Sequence, residues 1–232
     1  MSRSPGITAC VFDAYGTLLD LESAVEPHRA ALGGSAAGFL KLWRGKQLEY
    51  TWLRTLMGRY ADFAQVTADA LDYACDSFGV RDPALRAGLL GGFERLQAFG
   101  DAGETLARLR TAGIRTAVLS NGTPAMLTAA FEASGLAPHL DRVLSVEAVS
   151  KYKPAAEVYA LAASELAAGA GELLFVSANA WDISGAASAG LVTAWINRAA
   201  APRERLPFGA THVVGSLSEI PALAGRSSGF AE

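Results

Sequence analysis

Short, mostly apolar runs alternate along this chain with longer segments in which apolar residues recur at helical spacing. The runs are Ile7–Phe12, Thr116–Ser120, Leu173–Ser177, Val192–Ile196 and, more weakly, His212–Val214. Runs of this kind are typical of strands buried on both faces of a parallel sheet. The predicted helices between them are Asp101–Ala112, a helix beginning at Pro124, Ala155 to about Ala168, and Asp182–Ala189. This alternation predicts a doubly wound, Rossmann-like α/β sheet.

The segment 21–97 departs from this alternation. It has no convincing strand pattern, and glycines separate helical patterns around Ser23–Leu32, Ala36–Met57, Asp62–Phe78 and Pro83–Leu96. We therefore predict a helical cap domain at 21–97, inserted into a core domain made of 1–20 and 98–232. The pattern at Ala36–Met57 is apolar on more than one side, which favours packing on other cap helices or a dimer interface.

Composition narrows the class of protein. Of the 232 residues, 51% are hydrophobic and 19% are charged, which indicates a folded globular protein. A net charge of -3 without a basic block argues against nucleic-acid binding. No apolar run approaches the ~20 residues needed to span a membrane, and the first residues lack the features of a signal peptide. Cys10 and Cys75 lack metal or disulfide spacing, so we expect a cytoplasmic protein.

Polar residues cluster where the predicted strands end. The segments are Asp13-Ala14-Tyr15-Gly16-Thr17, Ser120-Asn121, Lys151-Tyr152-Lys153-Pro154 and Ser177-Ala178-Asn179-Ala180-Trp181-Asp182. Open α/β sheets bind their ligands at the edge formed by the carboxyl ends of the strands. Acids, amides, hydroxyls and a lysine in this number are too polar for a core, so the sequence predicts an active site at this edge.

The acid of the first loop, Asp13, is followed by tyrosine at position 15, where a second acid would suit a phosphoryl-transfer enzyme. In a dry site, a carboxylate can displace a good leaving group and form an ester. Halide leaves without a proton, whereas the alkoxide leaving a phosphate ester must be protonated. Asp13 and Tyr15 therefore favour displacement of halide. The alternative for Asp13 is a turn-capping role.

The order of these segments resembles the haloacid dehalogenase superfamily and, in detail, the (S)-2-haloacid dehalogenases. The segment from Leu42 to Arg54 is similar to that family too, so the resemblance covers about residues 7–224. It implies hydrolysis of short (S)-2-haloalkanoic acids to (R)-2-hydroxy acids and halide. The reaction would pass through an aspartyl ester on Asp13, with inversion at C2. The resemblance also implies catalysis without a metal or other cofactor, and a homodimer formed through the cap helices.

The resemblance assigns catalytic roles to residues around the nucleophile, namely Thr17, Lys153, Ser177, Asn179 and Asp182. Lys153 would steady the ionised form of Asp13, and Asn179 and Asp182 would orient the water that cleaves the ester. Thr17 would orient Asp13. Simpler alternatives are a loop-stabilising threonine at position 17 and a helix N-cap at position 182.

The resemblance also assigns substrate- and halide-binding roles to Ala14, Tyr15, Arg44, Ser120, Asn121, Tyr159 and Trp181. Ser120, with backbone N–H groups near Ala14 and Tyr15, would hold the substrate carboxylate. Arg44 and Asn121 would bind the halogen, beside Trp181 as an apolar wall. The alternatives are a surface arginine at 44, a helix N-cap at 120–121 and a core aromatic at 159.

Two other functions compete with the dehalogenase interpretation. A phosphatase of the same superfamily would depend on Mg²⁺, and Tyr15 argues against it. A non-catalytic binding protein on the same scaffold would be insensitive to replacement of Asp13 by asparagine.

Overall fold

A six-stranded parallel sheet forms the centre of the molecule in the computed structural model, which describes residues 6–225. The strands are β1 Ala9–Phe12, β2 Leu19–Asp20, β3 Gln97–Ala98, β4 Arg115–Ser120, β5 Arg142–Ser145, β6 Leu173–Ser177, β7 Val192–Ile196 and β8 His212–Val214. The central sheet has the order β5-β4-β1-β6-β7-β8. The predicted Rossmann-like α/β fold is confirmed.

Helices connect the strands and flank the sheet. They are α1 Arg29–Leu32, α2 Ala36–Leu56, α3 Phe63–Phe78, α4 Pro83–Gly92, α5 Ala102–Thr111, α6 Pro124–Ala133, α7 Ala156–Glu165, α8 Ala180–Ser188 and α9 Ile220–Ala224. Helix α5 packs near β4, and α8 packs near β6 and β7. Leu106 and Leu109 of α5 are completely buried, as expected for the apolar stripe of a helix lying on a sheet.

Strand β1 lies in the middle of the sheet, and all of its residues are completely buried. Its last residue, Phe12, pairs with Val118 of β4 and with Val176 of β6. The chain adds β4 and β5 on one side of β1 and then β6, β7 and β8 on the other. Such a reversal opens a crevice at the carboxyl ends of the strands, and Asp13 is the first residue beyond β1 at that point.

Helices α1 to α4 form a block between the short strands β2 and β3. Helix α2 buries one face, with Phe39, Trp43 and Gln47 at intervals of four residues, and this face packs against α3. The Asp62 side chain caps α3 by accepting a hydrogen bond from the Gln65 backbone N–H at 2.8 Å. Gly79, with a φ of +70°, ends the same helix in the left-handed conformation that favours glycine.

The two connections between this helical block and the sheet run side by side. Leu19 pairs with Ala98, and Asp20 pairs with Gln97, in an antiparallel ribbon formed by β2 and β3. The Phe99 backbone N–H donates to the Leu18 carbonyl at 2.9 Å, which extends this pairing towards the sheet. The chain therefore leaves the sheet and returns to it through a narrow, hydrogen-bonded neck.

One strand of the central sheet is absent from the sequence prediction. Strand β5 is an edge strand with a single neighbour, and its first two residues, Arg142 and Val143, are exposed. An edge strand with so little buried surface leaves no continuous apolar run in the sequence. The short strands β2 and β3 are also missed, because two residues give no pattern.

The predicted helix at Ser23–Leu32 is largely wrong. The chain instead forms two 3₁₀ turns, Leu21–Ala24 and Glu26–His28, before the single turn of α1. Pro27 has no backbone N–H to donate and lies within the second turn, which disfavours a continuous α-helix.

Three further helices differ by two residues or more from the predicted bounds. Helix α4 ends at Gly92, four residues before Leu96. Helix α7 ends at Glu165, three residues before Ala168, and Ala167 has a positive φ. Helix α8 begins at Ala180, two residues earlier than predicted. Among residues 6–225, no helix combines the length and apolar character needed to cross a membrane. The ends of the predicted core domain, 1–5 and 226–232, lie outside the described residues.

Candidate active site

The carboxyl ends of three adjacent strands bring the predicted polar residues together. Asp13 follows β1, Ser120 ends β4, and Ser177 ends β6. Lys153 enters from the connection between β5 and α7, and its backbone N–H donates to the Asn121 side-chain oxygen at 3.2 Å. The topology therefore assembles residues that are far apart in the sequence around the carboxylate of Asp13.

Three side chains donate hydrogen bonds to this carboxylate. Lys153 Nζ lies 3.0 Å from Asp13 Oδ1, and Asn179 Nδ2 lies 2.8 Å from Asp13 Oδ2. The Thr17 hydroxyl donates to the same Oδ2 at 3.1 Å. Only 6% of Asp13 is exposed, so its charge depends on these donors rather than on water.

A buried chain of charges runs from Asp13 through Lys153 to Asp182. Lys153 Nζ lies 2.8 Å from Asp182 Oδ2, and the Tyr159 hydroxyl donates to Asp182 Oδ1 at 2.7 Å. Lys153 is 1% exposed and Asp182 is completely buried. An ammonium between two carboxylates leaves this cluster with a net negative charge that the surrounding donors must compensate.

Burial and neighbouring charges together shift the pKa values of Asp182, Lys153 and Tyr159 in this buried cluster. Burial raises the pKa of the Asp182 carboxyl to about 6, and the neighbouring Lys153 ammonium opposes that rise. Burial alone would lower the pKa of Lys153, but Asp13 and Asp182 outweigh it, so this pKa is raised. Burial also raises the pKa of Tyr159, which therefore keeps its proton and acts as a donor.

Two hydroxyls order the loops around the carboxylate. The Thr17 hydroxyl oxygen accepts a hydrogen bond from the Ala178 backbone N–H at 2.9 Å while its proton is directed at Asp13. The Ser177 hydroxyl accepts from the Asn179 backbone N–H at 3.0 Å. Ser177 therefore holds the turn that carries Asn179, with no direct hydrogen bond to Asp13 among the described residues.

Unpaired donors lie around the first loop and the end of β4. Within residues 6–225, the backbone N–H groups of Ala14 and Tyr15 have no hydrogen-bond acceptor. Ser120 is completely buried, and its hydroxyl oxygen accepts from the Gly122 backbone N–H at 3.2 Å, which leaves its proton for another acceptor. Backbone and hydroxyl donors in this arrangement suit an anionic group such as a carboxylate.

Arg44 reaches the site from α2. Its guanidinium donates to Gln47, one turn further along the same helix, and the Gln47 amide donates in turn to the Thr67 hydroxyl at 2.6 Å. Gln47 is completely buried, so α3 indirectly fixes the direction of the arginine. Burial lowers the pKa of Arg44, and the negative charge of the Asp13 carboxylate opposes this change.

Aromatic rings line the space between the sheet and the helical block. The Tyr15 ring stacks on Phe63, with centroids 5.6 Å apart, and the Trp181 ring meets Trp52 edge-on at 5.5 Å. The Tyr15 hydroxyl is buried without a hydrogen-bond partner among the described residues, and burial raises its pKa. These walls exclude water, while the unpaired hydroxyl supplies a donor within them.

Comparison with known proteins identifies the family. A family model described as haloacid dehalogenase-like hydrolase matches residues 7–190. The (S)-2-haloacid dehalogenase 1 of Pseudomonas sp. (strain CBS-3) is 48% identical over 218 residues, which are 94% of this chain and 96% of that protein. The chain belongs to the (S)-2-haloacid dehalogenase family.

Further members of the family agree over nearly the whole chain. The (S)-2-haloacid dehalogenase 4A of Burkholderia cepacia is 46% identical over 220 residues, covering 94% of this chain and 95% of that protein. A crystal structure of the L-2-haloacid dehalogenase from Xanthobacter autotrophicus with chloropropionic acid covalently bound superimposes with a TM-score of 0.87 at 36% identity. That comparison covers 97% of this chain and all of the other. The chain is therefore a hydrolase of this family.

The structure decides between several alternatives that the sequence left open. The N-cap of α6 is Thr123, whose hydroxyl accepts from the Met126 backbone N–H at 3.2 Å, so an N-cap at 120–121 is wrong. Asp182 lies inside the first turn of α8, so an N-cap at 182 is wrong too. Tyr159 is both a core aromatic and a hydrogen-bond donor, because its ring packs on Phe175 while its hydroxyl reaches Asp182.

Sequence reasoning missed residues that support the site from behind. Gln47 fixes Arg44 by accepting its hydrogen bond. Its position three residues after that arginine, in a segment similar to the family, could have pointed to this role. Tyr152, read only as a neighbour of Lys153, donates its hydroxyl to the Ala61 carbonyl at 2.6 Å and so joins the sheet to the helical block. Within the described part of the chain, no three His, Cys, Asp or Glu side chains are grouped so that they could hold a metal ion.

Proposed function

We propose that this enzyme hydrolyses short (S)-2-haloalkanoic acids to (R)-2-hydroxy acids and halide. The observation that supports this function best is the buried Asp13 carboxylate, held by three donors, with Tyr15 in place of a second acid. The curated relatives are named (S)-2-haloacid dehalogenases, and the Xanthobacter autotrophicus structure contains covalently bound chloropropionic acid. The names agree with the proposed reaction, and the covalently bound acid agrees with a covalent route.

In the first step, one oxygen of the Asp13 carboxylate attacks C2 of the substrate from the side opposite the halogen. A carbon–oxygen bond forms, the carbon–halogen bond breaks, and the halide leaves with the bonding electron pair. A single displacement at C2 inverts its configuration. Lys153 and Asn179 hold the carboxylate in one orientation, which favours attack because the reacting atoms need no further alignment.

The substrate carboxylate and the leaving halide need separate sets of donors. The backbone N–H groups of Ala14 and Tyr15, with the Ser120 hydroxyl, are suited to the carboxylate, because these donors are free or only partly used. Arg44 and the side-chain N–H groups of Asn121 are suited to the halide, where negative charge develops as the bond breaks. Trp181 would contribute an apolar wall.

In the second step, water attacks the carbonyl carbon of the Asp13 ester. The bond between this carbon and the oxygen shared with the substrate breaks, one proton of the water passes to the departing alkoxide, and the other is released. The hydroxy acid leaves, and the Asp13 carboxylate is restored. Asn179 and Asp182 would orient the water, and a carboxyl with a pKa of about 6 is suited to accept its proton at neutral pH. Thr17 and Ser177 would hold the loop that carries Asn179 and so keep its side chain in place.

Halide release from (S)- and (R)-2-chloropropionate tests this function. We expect release from the (S) acid alone, with (R)-lactate as the organic product. Asp13→Asn should abolish release, while Asp20→Asn, which removes a half-buried aspartate nearby, should retain it. Absence of halide release by the unaltered protein, together with Mg²⁺-dependent cleavage of a phosphate ester, would instead favour the phosphatase.

Isotope labelling tests the covalent step separately. During one turnover in H₂¹⁸O with excess enzyme, water attacks the carbonyl of the ester, so the label should enter Asp13. Mass spectrometry of the peptide that contains Asp13 would detect it. Label found only in the hydroxy acid would show that water attacks C2 directly, even if halide is released.

We also propose that residues 21–97 act as a cap that closes the site. Support comes from contacts that cross between α2 and the sheet: Thr55 accepts from the Tyr152 backbone N–H at 3.1 Å, and Trp52 packs on Trp181. A fragment of 21–97 alone should fail to fold if these contacts are required, whereas a cooperative unfolding transition of that fragment would identify an independent domain.

The exposed end of α2 supports a homodimer formed through the cap. Leu53, Leu56 and Met57 are 43%, 83% and 63% exposed, and they form an apolar patch whose burial against a second copy would be favourable. Sedimentation should give a dimer for the unaltered protein and a monomer for Leu56→Glu. Leu206→Glu is the matched control, because Leu206 is also exposed but lies in the β7–β8 connection. A monomeric unaltered protein would exclude this interface.

We propose that the protein is cytoplasmic, that it binds a small haloacid, and that it binds neither nucleic acid nor a membrane. The support is that both cysteines are buried free thiols, as in proteins from a reducing compartment. Cell fractionation that recovers the protein from the periplasm or the medium would contradict this placement.

A further inference from the structure

A guanidinium outside the proposed catalytic set lies beside the neck formed by β2 and β3. Arg198 follows β7 at the same edge of the sheet as Asp13. Its Nη2 donates to the Thr17 carbonyl at 3.0 Å, and its Nη1 donates to the Gly16 carbonyl at 3.3 Å. One planar fork therefore holds two successive carbonyls of the loop that carries the nucleophile, a geometry that lysine would not reproduce.

The same guanidinium also contacts the second connection of the neck. Its Cζ atom lies 3.9 Å from the centroid of the Phe99 ring, within the range of a cation–π interaction. Its Nη2 forms an ion pair with Asp101 Oδ1 at 3.7 Å. The other oxygen of Asp101 accepts from the Ser216 hydroxyl and the Leu217 backbone N–H, at 2.8 and 2.9 Å. Arg198 thus rests on an anchored carboxylate and an aromatic ring.

We propose that Arg198 is a positioning residue, which fixes the Gly16–Thr17 backbone so that the Thr17 hydroxyl points at the Asp13 carboxylate. The Thr17 hydroxyl has two partners, Asp13 and the Ala178 backbone N–H, and keeps both only while its own backbone stays in place.

Gly16 has a φ of +84°, which glycine adopts readily because it has no side chain. The absence of a side chain also leaves this turn with little packing restraint of its own. Backbone hydrogen bonds hold the N–H groups of the turn, from Gly16 to the Leu19 carbonyl at 2.8 Å and from Thr17 to the Ala14 carbonyl at 3.3 Å. The guanidinium adds a restraint on the carbonyls of Gly16 and Thr17. This inference rests on the proposed dehalogenase function.

Arg198→Met tests the proposal by removing the charge and the fork while keeping much of the apolar volume. Arg198 makes no contact with the proposed substrate-binding groups, so KM for (S)-2-chloropropionate should stay within about threefold. Loss of orientation at Asp13 should lower kcat by about 10- to 100-fold. Arg198→Lys should recover only part of this loss. Arg115→Met is the matched control, because Arg115 also donates to a backbone carbonyl, that of Leu166, but at the opposite edge of the sheet.

A double-mutant cycle separates positioning from general destabilisation. If Arg198 acts through Thr17, then Thr17→Val should lower kcat by a similar factor, and the double variant should be no slower than the slower single variant. Losses that multiply would overturn the proposal, as would an unchanged kcat in Arg198→Met. Should the Met variant fail to fold, the cycle is run with Arg198→Lys. Inactivity of the unaltered protein would refute the proposed function instead, since that result does not depend on Arg198.

Discussion

At the residue scale, the site depends on how three donors hold Asp13 without taking away its charge. Asn179 and Thr17 share one carboxylate oxygen, and Lys153 contacts the other. Hydrogen bonds to both oxygens fix the orientation of the carboxylate, which favours a single direction of attack. Lys153 also neutralises part of the charge that Asp182 adds, so its removal affects both stability and chemistry.

Lys153→Met should leave two buried carboxylates without their ammonium. Breaking a buried ion pair from one side typically costs about 3–5 kcal/mol, and we expect a loss of that order in the free energy of unfolding at about pH 8. Without Lys153, the pKa of Asp182 rises further above its unfolded value. Such a group favours the folded state as pH falls, so part of the loss should be recovered at about pH 5.5. Urea unfolding at both pH values measures this.

Lys151→Met is the control for that experiment. Lys151 lies two residues away but is exposed and pairs with Glu157 on the surface. Its replacement should change stability by less than about 1 kcal/mol at either pH. A loss in Lys153→Met that does not shrink towards acid pH would show that the carboxylates are not the source of the instability.

Asp182 should set the acidic limb of the pH profile of kcat. Its pKa is raised to about 6 by burial, so the folded enzyme takes up a proton there as pH falls through this value. If the ionised form orients water, activity is present above about pH 6 and falls by about tenfold at one unit below it. Tyr159→Phe removes a hydrogen bond that favours the ionised form, so the limb should move to higher pH. A limb that stays in place, or moves down, would exclude Asp182 as the group that titrates.

At the element scale, α2 positions Arg44 through its own backbone period. Residues three and four apart share a helix face, so Gln47 lies beside Arg44 and accepts its hydrogen bond. Gln47 is held in turn by the Thr67 hydroxyl of α3. Gln47→Leu keeps the volume but leaves the Thr67 hydroxyl and the arginine without this partner. We expect a loss of about 1–3 kcal/mol in unfolding free energy and a decrease in kcat.

Gln47→Glu distinguishes loss of the hydrogen bond from loss of the free charge. A carboxylate at position 47 would pair with Arg44 and withdraw its positive charge from the halide, so kcat should fall further than in Gln47→Leu. Lys46→Leu on the same turn removes a pair with Glu49 and cation–π contacts with Tyr50 and Tyr73, and it should leave kcat unchanged. Equal activity of both Gln47 variants would contradict a role for the Arg44 charge.

The sequence predicted those elements whose burial is continuous along the chain. Strands β6 and β7 have the predicted bounds because their residues form uninterrupted and mostly buried apolar runs. The bounds of β8 also match, although Val213 in its middle is exposed. Strand β5 was missed because an exposed edge strand leaves little apolar pattern. Strands β2 and β3 were missed because each has only two residues. The positions of Asp13, Lys153 and Asp182 could be predicted from the family resemblance. The support from Gln47 and Arg198 could not, because it depends on contacts between elements.

At the scale of the whole molecule, the aromatic contacts between the sheet and the helical block decide how well the site excludes water. Tyr152 is completely buried, stacks on Tyr60 with centroids 5.2 Å apart, and donates its hydroxyl to the Ala61 carbonyl. Its neighbour Lys153 touches Asp13. We therefore expect a change in the packing of the helical block on Tyr152 to affect Asp13 through Lys153, one peptide unit away.

Tyr152→Phe should loosen this contact while keeping the aromatic stack. The carbonyl of the half-buried residue Ala61 loses its donor, and a hydrogen bond of this kind contributes about 0.5–1.5 kcal/mol. That cost falls on the closed arrangement of the cap, so backbone amides of 57–63 should exchange hydrogen faster, and kcat/KM should fall by several-fold as water enters. Tyr73→Phe is the control, because Tyr73 is 43% exposed on α3. If exchange at 57–63 were the same in both variants, the Tyr152 hydroxyl would have no part in holding the cap, and the link from cap packing to Asp13 would have to run through Trp52 and Trp181 instead.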